Sequence, residues 1–372
     1  MNTLLTVSSV MNTVLAVVLA ILILLAMITV HEFGHYAAGK ILKFKINEFA
    51  IGFGPKLFRR VSKKSGEAFS IRLFPLGGYC AFDGEDAEGD NPDSFNNKAP
   101  WKRIIVLISG PLMNYILALL LVIISLFSFG QMLFKVGAVT PADETYAEYS
   151  LCADDLITNA NGRGIYLTTD LMSALKGKSE GDIVEFTVLR GGEKQEVQIK
   201  LRADCDFENS EDTKKLWTAL GIGTYQAEDG LNYWSVGVES HRFGFFETIG
   251  RSFVYSFKIA GTIFKVLGEL LTGHLGLSSM GGPVTTIKLT SEIASQSFQS
   301  FLEIAAYIGV NLAVFNLLPI PALDGSKVIF CLIEWIFRKP IPRKVEAVIH
   351  AAGFILILVF AILVDILQFV HC

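Results

Sequence analysis

Four stretches of the 372-residue chain are apolar almost without interruption: Met11 to Val30, continuing helically through Ala37; Ile104 to Phe129; about Phe301 to Ile336, interrupted by prolines; and Ala347 to Val370. Each supplies the twenty or so residues that a helix needs to cross a hydrocarbon core about 30 Å thick. Between them the pattern changes. From Phe44 to Phe82 apolar and polar positions alternate, most clearly in Phe69, Ile71 and Leu73 against Ser70 and Arg72, with Gly52-Phe53-Gly54-Pro55 before and Gly77-Gly78 after. That period of two predicts a hairpin with an apolar face. Asp182 to Arg190 and Glu193 to Leu201 alternate around Gly191-Gly192, which predicts two strands joined by a two-residue turn, with a short helix at Asp170 to Gly177 ahead of them. In Phe243 to Leu271 apolar residues recur at helical spacing and Arg251, Lys258 and Lys265 fall seven apart on one line. This predicts an amphipathic helix on a membrane surface or against a domain. Gly281-Gly282-Pro283-Val284 reads as a turn.

Composition agrees with the pattern. Hydrophobic residues make up 51% of the chain, more than a soluble protein of this size can hide, so it reads as an integral membrane protein. A net charge of −4 with no basic arm gives no footing for nucleic acid. The first apolar stretch lacks a basic n-region and is too long for a secretory signal, so it is expected to be retained. Twelve Lys and Arg lie between Lys40 and Arg103, and Arg338, Lys339, Arg343 and Lys344 separate the last two stretches. By the positive-inside rule both connections are cytoplasmic, which puts both chain ends and residues 131 to 300 outside. The five cysteines show no CxxC spacing; Cys152 and Cys205 would share the outer side, where pairing is chemically possible. The acidic run Asp83 to Asp90 does not have calcium-loop spacing and reads as a solvated loop.

Candidate chemistry sits at the end of the first apolar stretch, in His31-Glu32-Phe33-Gly34-His35. On a helix, positions four apart share a face, so both imidazoles can point at one Zn²⁺ while Glu32 reaches water bound to it. Ionisable groups at membrane depth cost about 2 to 3 kcal/mol or more each unless paired or ligated. His31 lies about 25 Å along a helix from Val14, near the cytoplasmic edge of the core. A catalytic zinc usually takes three protein ligands, and Asp324 is the strong candidate for the third. It ends Asn316-Leu317-Leu318-Pro319-Ile320-Pro321-Ala322-Leu323-Asp324-Gly325, in which Pro319 and Pro321 remove two backbone donors and break the helix. Unwound backbone at that depth is tolerated only where protein or a wet cavity covers it. The plainer alternative is a kinked helix in which Asp324 caps the next turn, with Lys327 as its cationic neighbour.

These motifs, together with Phe95-Asn96-Asn97-Lys98-Ala99-Pro100-Trp101-Lys102-Arg103, Ser109-Gly110-Pro111-Leu112-Met113-Asn114 and Gly281-Gly282-Pro283-Val284, resemble the site-2 protease family of intramembrane zinc metalloproteases (peptidase family M50), in particular its regulator of sigma-E protease group. The resemblance implies that His31, His35 and Asp324 bind zinc and that Glu32 is the general acid and base. It also implies that Asn316, with Pro319, Pro321, Gly282 and Pro283, contacts substrate. Asn114 would stand beside the active site. The hairpin region would be a membrane-entering β-element whose edge can accept an unwound strand. The segment 133–205 would be a PDZ-like domain, although Ala153-Asp154-Asp155 stands where the family has Gly-Asp and no carboxylate-binding loop is evident, so a steric gate is an equal reading. The implied substrate is a single-span membrane protein or remnant signal peptide, such as a membrane-bound anti-sigma factor, cut in a bacterial cytoplasmic membrane.

The expected architecture is a polytopic α-helical membrane protein with four transmembrane helices, a membrane-associated β-hairpin region and an extracytoplasmic PDZ-like α+β domain. Its expected segments are 1–38 (first helix), 39–103 (β region and loop), 104–129 (second helix), 133–205 (PDZ-like), 206–300 (amphipathic helices and the Gly-Gly-Pro-Val loop) and 301–372 (third and fourth helices). Two rivals remain at this point. A non-catalytic membrane adaptor or transporter would leave Asp324 far from the imidazoles, and a peptidase for soluble substrates would digest water-soluble peptides as readily as helices in lipid.

Overall fold

The protein is described by a computed structural model covering residues 2–85, 92–141, 146, 148–207, 212–227, 231–273 and 281–371. The chain forms two compact units, residues 1–125 with 249–372, and residues 126–248.

In the first unit, α1 (Asn2–Ile41) is one uninterrupted helix, as a run of apolar residues without proline allows. The hairpin follows as β1 (Ile46–Val61) and β2 (Ala68–Phe82). Its register doubles back. Glu48 to Ile51 pair with Ala81 to Gly78 on one side and with Ala68 to Ile71 on the other, while Lys56 to Val61 pair with Arg72 to Ala68. Gly52, Gly54 and Gly77 have positive φ, the conformation that lets the ribbon curl there. Leu57, Phe58, Leu73 and Phe74 on its far part are exposed, whereas Phe44, Ile46 and Phe82 at its base pack with Phe95, Val106 and Leu107.

Next come α2 (Pro100–Phe129) and, in the other unit, β3 (Gln131–Val136), β4 (Leu156–Ala160), β5 (Arg163–Gly164), α3 (Thr168–Leu175), β6 (Ile183–Arg190), β7 (Glu193–Lys200), α4 (Thr213–Ala219), β8 (Thr224–Gln226), β9 (Asn232–Trp234) and β10 (Val236–His241). The main sheet runs β10-β3-β4-β6-β7, with β5 on β4 and every pairing antiparallel. Phe186, Ile157, Ile165, Leu171, Leu175 and Leu216 are fully buried beneath it, each burial contributing about 1.5 to 3 kcal/mol. The predicted β6–β7 hairpin and short helix are present. The unit is longer than 133–205, however, because β10 returns over a hundred residues later to pair with β3, Val236 opposite Val136 through His241 opposite Gln131. Cys205 is buried and Cys152 exposed, and both are free thiols.

The chain ends with α5 (Phe245–Leu271), α6 (Pro283–Ala294), α7 (Phe298–Leu317), α8 (Asp324–Phe337) and α9 (Arg343–His371). Among the described residues, four helices are long and apolar enough to cross a membrane: Val17–Ile41, Pro100–Phe129, Phe298–Leu317 and Arg343–Gln368. Such a set is consistent with a multi-pass membrane protein. Small residues let three helices meet closely. A Cβ on Gly34 would lie 2.3 Å from the Ser109 carbonyl oxygen, and one on Gly309 would lie 2.9 Å from the Ala118 methyl and 3.1 Å from Met27 Sδ.

One expectation changes here. The Gly-Gly-Pro-Val segment is a helix start rather than a turn, with Gly282 at the N-cap and Pro283 at the first helical position, where its missing N–H costs nothing. On α5, Arg251 is buried with Thr248, Ser252 and Ser256, while Phe253, Val254, Phe257 and Phe264 are outward. Ser256 and Tyr115 of α2 share a hydrogen bond of 2.8 Å, and Ile259 and Ile263 pack on Ala118, Val310 and Val314.

Candidate metal centre

His31 and His35 project from one face of α1, both nearly buried, with rings 4.7 Å apart and edge-on. Asp324 comes from the break between α7 and α8. Pro319 and Pro321 cannot donate to Phe315 and Leu317, so α7 stops, and Leu318 instead donates to Phe315 at 3.0 Å. The chain then doubles back so tightly that a Cβ on Gly325 would lie 2.3 Å from the Leu318 carbonyl oxygen and 2.4 Å from that of Leu317. Only glycine fits there, which explains the Asp-Gly pair. Asp324 does not act as a helix cap, since Leu323 holds the cap position and no side-chain cap bond is present.

The Asp324 carboxylate meets His31 Nε2 at 3.0 Å and His35 Nε2 at 3.3 Å, and the two Nε2 atoms are 3.1 Å apart. Tetrahedral zinc with bonds of about 2.0 to 2.1 Å holds its ligands about 3.3 Å from each other, so this triangle has the dimensions of one face of such a site. With both rings neutral and one N–H apiece, the two facing imidazole nitrogens and the carboxylate are short of hydrogen atoms. His35 uses its N–H elsewhere: Nδ1 donates to the Val106 carbonyl at 2.8 Å, which leaves Nε2 as a lone pair aimed inward. Space is kept open by Gly110, where a Cβ would come within 2.4 Å of His35 Nε2 and 2.9 Å of His31 Cε1. Among the described residues these three form the one group whose ligand atoms lie close enough to hold a metal ion, and the donor set fits zinc.

Glu32 projects beside the triangle. Its side chain lies against Gly78, where a Cβ would sit 3.5 Å from Glu32 Cγ, and its carboxylate takes the backbone N–H of Cys80. The hairpin is thereby tied to the site. Lys327, the cation expected beside Asp324, instead pairs with Glu85 at 2.7 Å. Asp86 to Asp90 lie outside the described residues.

The remaining expected residues are distributed. Asn316 is half-buried in the last turn of α7, Pro319 is exposed and Pro321 half-buried. Gly282 and Pro283 lie against α9, where a Cβ on Gly282 would meet Asp365 Oδ1 at 2.3 Å. Sequence reasoning missed two supports on α9. Asp365 accepts from Val284 N at 3.1 Å and Thr285 N at 3.3 Å at the start of α6, and its signal was an acid inside an apolar run. His350 Nδ1 accepts from Ala322 N at 3.0 Å, fixing the positive-φ residue two before Asp324, and Gly353 lets Pro321 approach. No sequence signal marked that contact.

The family model for peptidase family M50 matches residues 19–360. A protein of Clostridium perfringens named "putative zinc metalloprotease" is 35% identical over 353 residues, covering 94% of this chain and 97% of its own length. One of the same description from Clostridium acetobutylicum is 30% identical over 355 residues, 95% and 97% of the two chains, and one from Campylobacter jejuni is 30% identical over 348 residues, 91% and 89%. The chain belongs to peptidase family M50 and is a peptidase.

Proposed function

We propose that the chain is a zinc-dependent intramembrane endopeptidase that cuts transmembrane or signal-peptide-like segments, with His31, His35 and Asp324 as the zinc ligands and Glu32 as general base and acid. The observation that carries this reading is the triangle of 3.0, 3.1 and 3.3 Å between a membrane-length helix and a proline-broken one. An adaptor or ion carrier gives no reason for two imidazole nitrogens and a carboxylate at tetrahedral spacing. The relatives' name, zinc metalloprotease, supports the choice of metal.

Zinc held there supplies Lewis acidity, which makes water nucleophilic near neutral pH and polarises the scissile carbonyl. Glu32 takes the proton from the attacking water and delivers it to the departing amide nitrogen, the general acid–base step that such enzymes require. A helical substrate has no free backbone groups, so it must unwind before attack. The curled hairpin beside Glu32 offers backbone partners for the opened strand, and Asn316, Pro319 and Pro321 at the break after α7 contact it. The substrate class is a single-span membrane protein or remnant signal peptide, such as a membrane-bound anti-sigma factor. Arg and Lys placement supports an orientation with both termini and the 126–248 unit outside a bacterial cytoplasmic membrane. That unit serves there as a PDZ-like binder or a gate against bulky ectodomains.

Incubation of purified protein in detergent with a tagged single-span substrate tests the roles. Glu32→Gln is expected to lower turnover by about 10²- to 10⁴-fold while keeping one zinc per chain. Cleavage at the wild-type rate by that variant overturns the role of Glu32.

A further inference from the structure

Val106, Gly110 and Asn114 stand at four-residue steps on α2 and so form one stripe along it, with the two imidazoles of α1 against them. Gly110 makes room for the rings. Val106 fixes His35 by accepting its Nδ1–H. The corresponding atom of His31, Nδ1, faces the carboxamide of Asn114, a residue only 1% exposed.

As drawn, the amide nitrogen is the end that faces His31 Nδ1, at 3.3 Å, and the amide oxygen Oδ1 is buried with no hydrogen-bond partner. Both features are costly. If His31 gives the lone pair of Nε2 to a metal, its single N–H must be on Nδ1, and a donor would then face a donor. A buried acceptor without a donor costs about 1 to 3 kcal/mol. The two ends of a carboxamide have nearly the same shape, so a half-turn about Cβ–Cγ exchanges them without moving another atom. That half-turn removes both faults together.

We propose that Asn114 is a positioning residue whose Oδ1 accepts the Nδ1–H of His31, locking the tautomer that presents Nε2 to the metal. The inference rests on the proposed ligation by His31. It makes α2 the orienting wall for both histidines, through a main-chain carbonyl for one and a side-chain carbonyl for the other, eight residues apart.

The test is zinc affinity measured by chelator competition on the full-length protein in detergent, with three variants. Asn114→Leu keeps the volume and removes the acceptor, Asn114→Ala removes it with no added bulk, and Asn114→Asp keeps an acceptor but has no donor. Loss of an orienting partner is expected to weaken zinc about 10- to 100-fold in the Leu and Ala variants. Asn114→Asp should bind within a few-fold of wild type or tighter. If Leu and Ala variants of native elution profile bind zinc as wild type does, the proposal is overturned. It is also overturned if Asn114→Asp is as weak as Asn114→Ala, because the amide N–H would then be the working group. Should wild-type protein itself take up no zinc, the ligation underneath fails, a result distinct from either.

Discussion

Two aspartates in this molecule, Asp155 buried and Asp324 half-buried, show how differently a carboxylate can be satisfied. Asp155, in the 126–248 unit, is fully enclosed and receives the Cys152 backbone N–H at 2.8 Å and Arg190 Nε and Nη2 at 2.7 and 2.8 Å. All three donors carry hydrogen permanently, so the group is complete as it stands. Asp324 faces two imidazole nitrogens, at least one of which has its ring's only N–H committed on the far side. Its surroundings are short of hydrogen and suited to a cation. The first arrangement holds a fold together, and the second is built to receive something.

Substitutions at the two sites should therefore separate metal from stability. Asp324→Ala is expected to abolish stoichiometric zinc and turnover together, as read by metal analysis and substrate cleavage, with little change in hydrogen exchange within β4 and β6. Asp155→Ala should do the reverse, leaving zinc intact while weakening protection of β4 and β6 by about 3 kcal/mol, since Arg190 loses its buried partner. If Asp155→Ala also released zinc, the contrast would be lost. A smaller effect is expected from Gly110→Ala, whose methyl must displace the His35 ring; zinc affinity should fall about tenfold by the same chelator assay. The gentlest probe is alkylation at pH 8. Burial, with Asp204 and Asp182 nearby, pushes the Cys205 thiol up to about 11, so iodoacetamide should label exposed Cys152 and spare Cys205 until the unit is unfolded.

Much of the centre was legible because helices and prolines obey local rules. A four-residue spacing put two imidazoles on one face, and two prolines marked where α7 had to end. That Asp324 meets both imidazoles needed the structure, because nothing local measures a separation of 293 residues. The 126–248 unit was under-read at its far end, since β10 is six residues long and its pairing with β3 depends on a return invisible to any short window. The Gly-Gly-Pro-Val segment was misjudged because proline both ends and begins helices, and the carboxylate that fixes the start of α6 lies on α9.

The distance in sequence between His31 and Asp324 has a consequence for biosynthesis. A nascent chain presents its histidine pair to the bilayer early, yet lacks the acidic partner until 293 further residues have been added. On the proposed ligation, every shorter intermediate lacks the complete donor set.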